Sequence, residues 1–287
     1  MFANINKTRI FFDINGAGFV PDGEKLKEKP VCFVLHGGPG GTHAYFKPYL
    51  DDLTEEIQLV YIDNRGSGFS ATGPQSSYNL ENNVEDIEEL RKYLGLGKIW
   101  VLGHSYGGTV AMNYALKYQD NLEGLILATT TASYRFMDKA KKFVEKNGTD
   151  EQKRVADILF NGAFESQEQL TYYFEVMEPL YSRDHASANN DQPKLKINRS
   201  YEAINEGFGG FLKELDITGR LSTITVPSLV IAGRHDWITP IEESEIIASE
   251  LPNSKFLLLE ESSHSVMKDE TNKLNSTILG FVKKTRS

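Results

Sequence analysis

The segment "KIWVLGHSYGGTVAMNYAL" constrains this chain more than any other. Its first half is apolar without alternation, which suits a parallel strand buried on both faces rather than a half-exposed one. Its second half has helical periodicity. Between them, Gly103-His104-Ser105-Tyr106-Gly107 places a serine between glycine-flanked positions. Glycines cost backbone entropy on folding, so their presence implies a sharp strand-to-helix turn that needs the room they leave. Such a turn points the serine side chain outward over the first N–H groups of the helix, the geometry of a nucleophile elbow. A plain turn whose serine caps the helix is the simpler alternative; the strand before and the helix after favour the elbow.

The flanking sequence repeats the pattern. "TRIFFDI", "PVCFVLHGG", "IQLVYID", "LEGLILATT", "PSLVIAG" and "KFLLLEES" read as strands. "LENNVEDIEELRKYLGL", with Leu80, Val84, Ile87, Leu90 and Leu94 on one face, reads as a helix, and so does "PIEESEIIASEL". A last helix is expected over roughly 268–284, and "NGAGFVPDGEKLKEKP" is expected to be a turn. Strand–helix alternation predicts an α/β fold with a mostly parallel sheet covered on both faces. The alternation stops over 133–215, where long helical patterns carry many aromatic side chains. The expected organisation is a core from 1–132 and 216–287 with a helical cap inserted at 133–215.

A serine hydroxyl is a weak nucleophile and needs a base that a third group orients. With this elbow the partners follow in chain order, acid and then histidine. Asp236 in "AGRHDWITP" and His264 in "EESSHSVM" both lie just past apolar strands, at the rim where parallel sheets present their sites. Asp236 could instead cap the helix after Pro240, and Glu260 and Glu261 are the other acids near His264. His36 and His104 sit beside glycines at the same rim, whereas His43 and His185 suit solvated positions and His235 would point away from Asp236. An oxyanion needs N–H donors. "LHGGPGG" supplies an unobstructed backbone, and the N–H groups of Gly37 and Tyr106 are the expected pair.

Composition sets outer limits. The chain has 287 residues, 40% of them hydrophobic, enough for one large α/β core. A net charge of −9 offers no basic field for nucleic acid. Cys32, the one cysteine, excludes an internal disulfide and is expected to be buried. No apolar run reaches the ~18 residues of a membrane span, so a soluble cytoplasmic protein is the default, with a small-molecule substrate and neither nucleic acid nor membrane as partner.

Taken together, "HGGPG" at 36–40, "DNRGSGFS" at 63–70, "GHSYGGTVAMNYALKY" at 103–118, "GRHDWITP" at 233–240 and "SSHSVM" at 262–267 resemble the α/β hydrolases of the proline iminopeptidase type. The resemblance implies an α/β-hydrolase fold, a Ser105–Asp236–His264 triad, Gly37 and Tyr106 at the oxyanion hole, no cofactor or metal, and structural roles for Asp63 and Arg65. It implies also that glutamates hold the substrate amine. Here the residue after Asp236 is Trp237 rather than the glutamate of one branch, and His104 takes a glycine's place, as in many esterases and lactonases. Glu206 is the surviving candidate for an amine-binding carboxylate; His36, Gly38, His104 and Trp237 are the other expected substrate-binding residues. With so many aromatics in the inserted segment, the expected pocket is bulky and apolar. The reaction expected first is hydrolysis of a neutral hydrophobic ester or lactone, macrocyclic lactones included, through an acyl-enzyme. Release of an N-terminal proline or small apolar residue is the second reading, and a ligand receptor that keeps the hydrolase shell but turns over little is the third.

Overall fold

A computed structural model describes residues 1–184 and 198–286; His185 and the rest of 185–197 lie outside the described residues. The sheet has eight strands in the order β1 (Phe2–Ile5), β2 (Thr8–Asn15), β6 (Gln58–Ile62), β5 (Val31–Leu35), β7 (Ile99–His104), β8 (Leu122–Ala128), β9 (Ser228–Gly233) and β10 (Ser254–Leu259). From β6 to β10 every pairing is parallel; β1–β2 and β2–β6 are antiparallel. A separate hairpin joins β3 (Phe19–Asp22) and β4 (Lys25–Glu28). This hairpin and β1 fall where a turn and an unassigned end were expected. The hairpin is largely exposed, Phe19 and Leu26 included, so neither strand has the buried face that would reveal it.

Side-chain alternation along the central strands divides the core in two. Phe33, Leu35 and Val101 pack on one face with α1 (Leu80–Tyr93) and α2 (Tyr106–Tyr118). Cys32, Val34, Trp100 and Leu102 pack on the other with α9 (Thr271–Arg286). Each fully buried side chain of this size contributes about 1.5–3 kcal/mol. β7 is buried at all six positions, as its unbroken apolar run requires. Burial pushes the Cys32 thiol up to about 12, so it packs as an inert hydrophobe. At the other end of β6, Asp63 accepts the backbone N–H groups of His43 (2.7 Å) and Phe69 (2.9 Å), and Arg65 grips Asp86 through two nitrogens at 2.6 and 2.7 Å. His43 is not solvated: it is buried, with its Nδ1 2.9 Å from Asp63.

Between β8 and β9 the chain runs through α3 (Arg135–Asn147), α4 (Asp150–Asn161), α5 (Gln167–Tyr181) and α6 (Tyr201–Gly209). The second of these opens on a reciprocal cap between Thr149 and Gln152. Past β9 come α7 (Ile241–Glu250) and, after β10, the short α8 (Val266–Asp269), so the expected last helix is two, broken at Glu270. Among the described residues no helix is long and apolar enough to cross a membrane.

Candidate active site

Ser105 joins β7 directly to α2 with φ 55° and ψ −124°. A positive φ costs a residue with a β-carbon about 1–3 kcal/mol, and it persists only where the surroundings enforce it. Here they do. A β-carbon on Gly103 would lie 2.3 Å from the Gly107 carbonyl oxygen, and one on Gly107 would lie 2.2 Å from that of Leu35. The strand and helix therefore meet at a distance only glycine allows. The Ser105 N–H donates to the Ala128 carbonyl (3.0 Å), and its own carbonyl accepts from Thr130 Oγ1 (2.6 Å).

Asp236 follows β9. Its Oδ1 accepts the N–H groups of Ile238 (2.9 Å) and Thr239 (3.0 Å), and its Oδ2 accepts the Thr239 hydroxyl (2.7 Å). The same Oδ2 lies 2.8 Å from His264 Nδ1. The helix-cap alternative is thus half right: one oxygen closes the turn while the other meets the imidazole, and α7 itself takes no side-chain cap. Of the other acids, Glu260 pairs with Arg234 at the surface and Glu261 is exposed. His264 is held at its backbone: its carbonyl accepts the Thr129 hydroxyl at 3.1 Å and lies 3.0 Å from His104 Nε2.

A cavity of about 680 Å³ opens above these groups, lined by Ser105, His264, His36, Gly37, Gly38, His104 and Tyr106 together with side chains of α3 to α6. The glycine loop is adjacent to the serine: a β-carbon on Gly37 would come within 3.0 Å of the Ser105 β-carbon. His104 stacks on Tyr45 (5.1 Å) and contacts the His264 ring (4.7 Å). Burial, reinforced by His264, holds His104 well below its ordinary pKa, and burial also lowers His36. Both are neutral fixtures of the rim. Asp63 beneath them would be raised by burial, but its hydrogen bonds with His43 outweigh this and hold it below its usual value.

Two expected substrate-binding residues are not on this wall. Glu206 sits on α6 between Ile204 and Phe208, which do line the cavity. At about 100° per residue it faces away from both. Trp237 follows Asp236 in the turn and is buried against Tyr181 (5.4 Å) and Phe160 (6.5 Å). Nor is the wall purely apolar. Phe136, Phe174, Tyr181 and Phe208 line it, but so do Glu175, Glu178, Lys47, Lys268 and Arg199. The sequence hides these polar groups because the amphipathic helices carry charge at many positions, and only packing decides which turn of α5 faces the serine. Among the described residues no cluster of three or more His, Cys, Asp or Glu side chains is placed to hold a metal ion.

The family model for the alpha/beta hydrolase fold matches residues 30–271. The chain belongs to that family. It is similar to proline iminopeptidase of Saccharolobus solfataricus, 32% identical over 263 residues that cover 86% of this chain and 83% of the relative. Among solved structures, an esterase of Thermogutta terrifontis covers 99% of this hydrolase at 25% identity, with a TM-score of 0.73 and 97% of its own chain matched. Proline iminopeptidase of Mycobacterium smegmatis superimposes with a TM-score of 0.76 at 20% identity, over 99% of this chain and 98% of its own. The protein is an α/β hydrolase of the proline iminopeptidase-like group.

Proposed function

We propose that the protein is a serine aminopeptidase that releases an N-terminal proline or small apolar residue from a peptide. The observation that carries this reading over an ester or lactone is the presence of the Glu175 and Glu178 carboxylates in the cavity that Ser105 and His264 also line. A substrate ammonium can enter such a cavity only where a carboxylate offsets its desolvation. The names of the full-length relatives point the same way.

In the mechanism we propose, Ser105 Oγ attacks the scissile carbonyl and His264 Nε2 takes the hydroxyl proton. The Asp236 carboxylate keeps Nδ1–H in place and stabilises the imidazolium. Backbone N–H groups of Gly37 and Tyr106 receive the oxyanion, each such donor being worth about 3 kcal/mol in the transition state. His264 then passes its proton to the leaving amine, which departs and leaves an acyl-serine. Water attacks that ester, gives a proton to His264, and the same proton returns to Ser105 as the acid leaves. The segment 133–215 acts as a cap that keeps bulk water from the acyl-enzyme. A cytoplasmic location suits a chain whose single buried thiol needs no oxidising compartment, and we expect neither nucleic acid nor membrane as partner.

The second reading, an esterase or lactonase, draws on the apolar part of the wall at Phe136, Leu159, Phe208 and Leu212. Matched kcat/KM values for proline p-nitroanilide and p-nitrophenyl butyrate separate the two. The aminopeptidase reading predicts that the anilide is cleaved and that Glu178→Gln lowers the anilide-to-ester ratio. Ester turnover with an inert anilide would replace it by the second reading. Failure of a fluorophosphonate to label Ser105 in the folded protein would favour a receptor.

A further inference from the structure

Three cationic side chains line the cavity, and two of them are committed. Lys47 is paired with Asp13, and Lys268 lies 3.3 Å from Glu178. Arg199 differs. Its guanidinium stacks 3.7 Å above the Phe174 ring, yet no carboxylate among the described residues comes within the 4.0 Å of an ion pair. The other charged groups on the wall are Glu175, Glu178, Lys47 and Lys268; the phenols of Tyr45, Tyr173 and Tyr181 also lie near it. Those phenols are already occupied, Tyr45 with Ser265 (2.7 Å) and Tyr173 with Tyr181 (2.8 Å).

The residue is also held in position. Ser200, next in the chain, donates its N–H to the Gly40 carbonyl (2.8 Å), and Ser200 Oγ caps α6 by accepting from Ala203 (3.2 Å). Arg199 is therefore fastened between the glycine loop and the start of α6. Its exposure is intermediate because it opens onto the cavity, but packing around it draws its pKa down, as for a cation with no counter-charge. Keeping a guanidinium half-desolvated without an anion is costly, and the stacking on Phe174 offsets only part of that. Its five donors in a planar fork match a carboxylate bidentately. Of the phenols near it, the Tyr181 ring lies 5.6 Å from the His264 ring, and the Tyr45 ring lies 5.1 Å from that of His104 on the rim.

We propose that Arg199 anchors a carboxylate of the substrate, so that the protein selects short peptides with a free C-terminal carboxylate over the corresponding amides. This rests on the aminopeptidase reading: there the acyl part carries the ammonium, and the carboxylate must belong to the leaving peptide. At 3.3–3.6 Å per extended residue, a leaving group of one to three residues reaches roughly 3–11 Å beyond the scissile bond.

The test is calorimetric titration of the Ser105→Ala protein, which binds without turnover, with Pro-Leu, Pro-Leu-Gly and the C-terminal amide of each. The expected result is that at least one acid binds tenfold or more tightly than its amide. Arg199→Gln in the same background should remove that preference, and Arg199→Lys should restore part of it. Equal affinity of acid and amide in the Arg199 protein, or no binding of either acid, overturns the proposal without recourse to any variant. A preference that survives Arg199→Gln in a protein with unchanged circular dichroism also overturns it. The aminopeptidase reading fails separately, if wild-type protein cleaves none of these four peptides.

Discussion

The cavity has two kinds of wall. One is the rim of the sheet, where Ser105, Asp236 and His264 leave the ends of β7, β9 and β10 and the glycine loop leaves β5. The other is the inserted set α3 to α6, which contributes Phe136, Glu175, Glu178 and Phe208. The rim is built from backbone: a positive φ at Ser105, carbonyl contacts that exclude a β-carbon, and hydrogen bonds to main-chain atoms. The inserted wall is built from side chains on amphipathic helices. The proposed mechanism puts chemistry that tolerates no displacement on the first, and recognition, which can vary with a single side chain, on the second. Breaking the rim should abolish turnover or folding. Changing the inserted wall should redistribute preference among substrates.

The largest effect is expected at the serine. Ser105→Ala should lower turnover on the order of 10⁴- to 10⁶-fold with circular dichroism unchanged; a loss below tenfold would remove the rim from the chemistry. Next comes the backbone of the elbow. In Gly107→Ala the new methyl would sit 2.2 Å from the Leu35 carbonyl oxygen and 2.8 Å from that of His36, so urea unfolding should show a loss of about 1–3 kcal/mol. An unaltered midpoint would mean that the strand and helix have slack. On the other wall, Glu178→Gln should change the anilide-to-ester ratio by about tenfold, the order of one lost charge-assisted bond, and leave the unfolding midpoint nearly fixed because the residue is partly exposed. An effect on stability but none on the ratio would erase the distinction between the walls.

The smallest effect concerns pH. His104 is held neutral in the folded chain, well below its ordinary pKa, while in the unfolded chain it takes a proton near about pH 6.5. The unfolded state therefore gains protons first as pH falls. The stabilisation is complete above that value and declines below it. The urea midpoint should drop between pH ~7.5 and ~5.5, and His104→Asn should make that drop smaller. An identical drop in both proteins would contradict the assigned neutrality.

The same division explains what the sequence discloses. β7, the elbow and the positions of Asp236 and His264 are legible because each needs a particular residue type in a particular backbone setting: an unbroken apolar strand, glycines at two offsets, polar residues just past strand ends. The hairpin of β3 and β4 is not legible, since its exposed strands obey no burial pattern. Glu206 illustrates the limit on the inserted wall. Its residue type suits the role, but helix phase turns it away, whereas Glu175 and Glu178 face the cavity from a helix whose register the sequence alone does not fix. Trp237 shows the same limit in the turn that Asp236 closes, where packing sends it into the core.

The most direct test of the central claim, that Ser105 is acylated with His264 as its base, is intact-mass and peptide analysis of protein treated with a fluorophosphonate. Rapid modification of wild-type protein at the peptide containing Ser105, and modification slowed by several orders of magnitude in His264→Ala, is the predicted result. Labelling at another residue, or equal labelling rates in the two proteins, would contradict it.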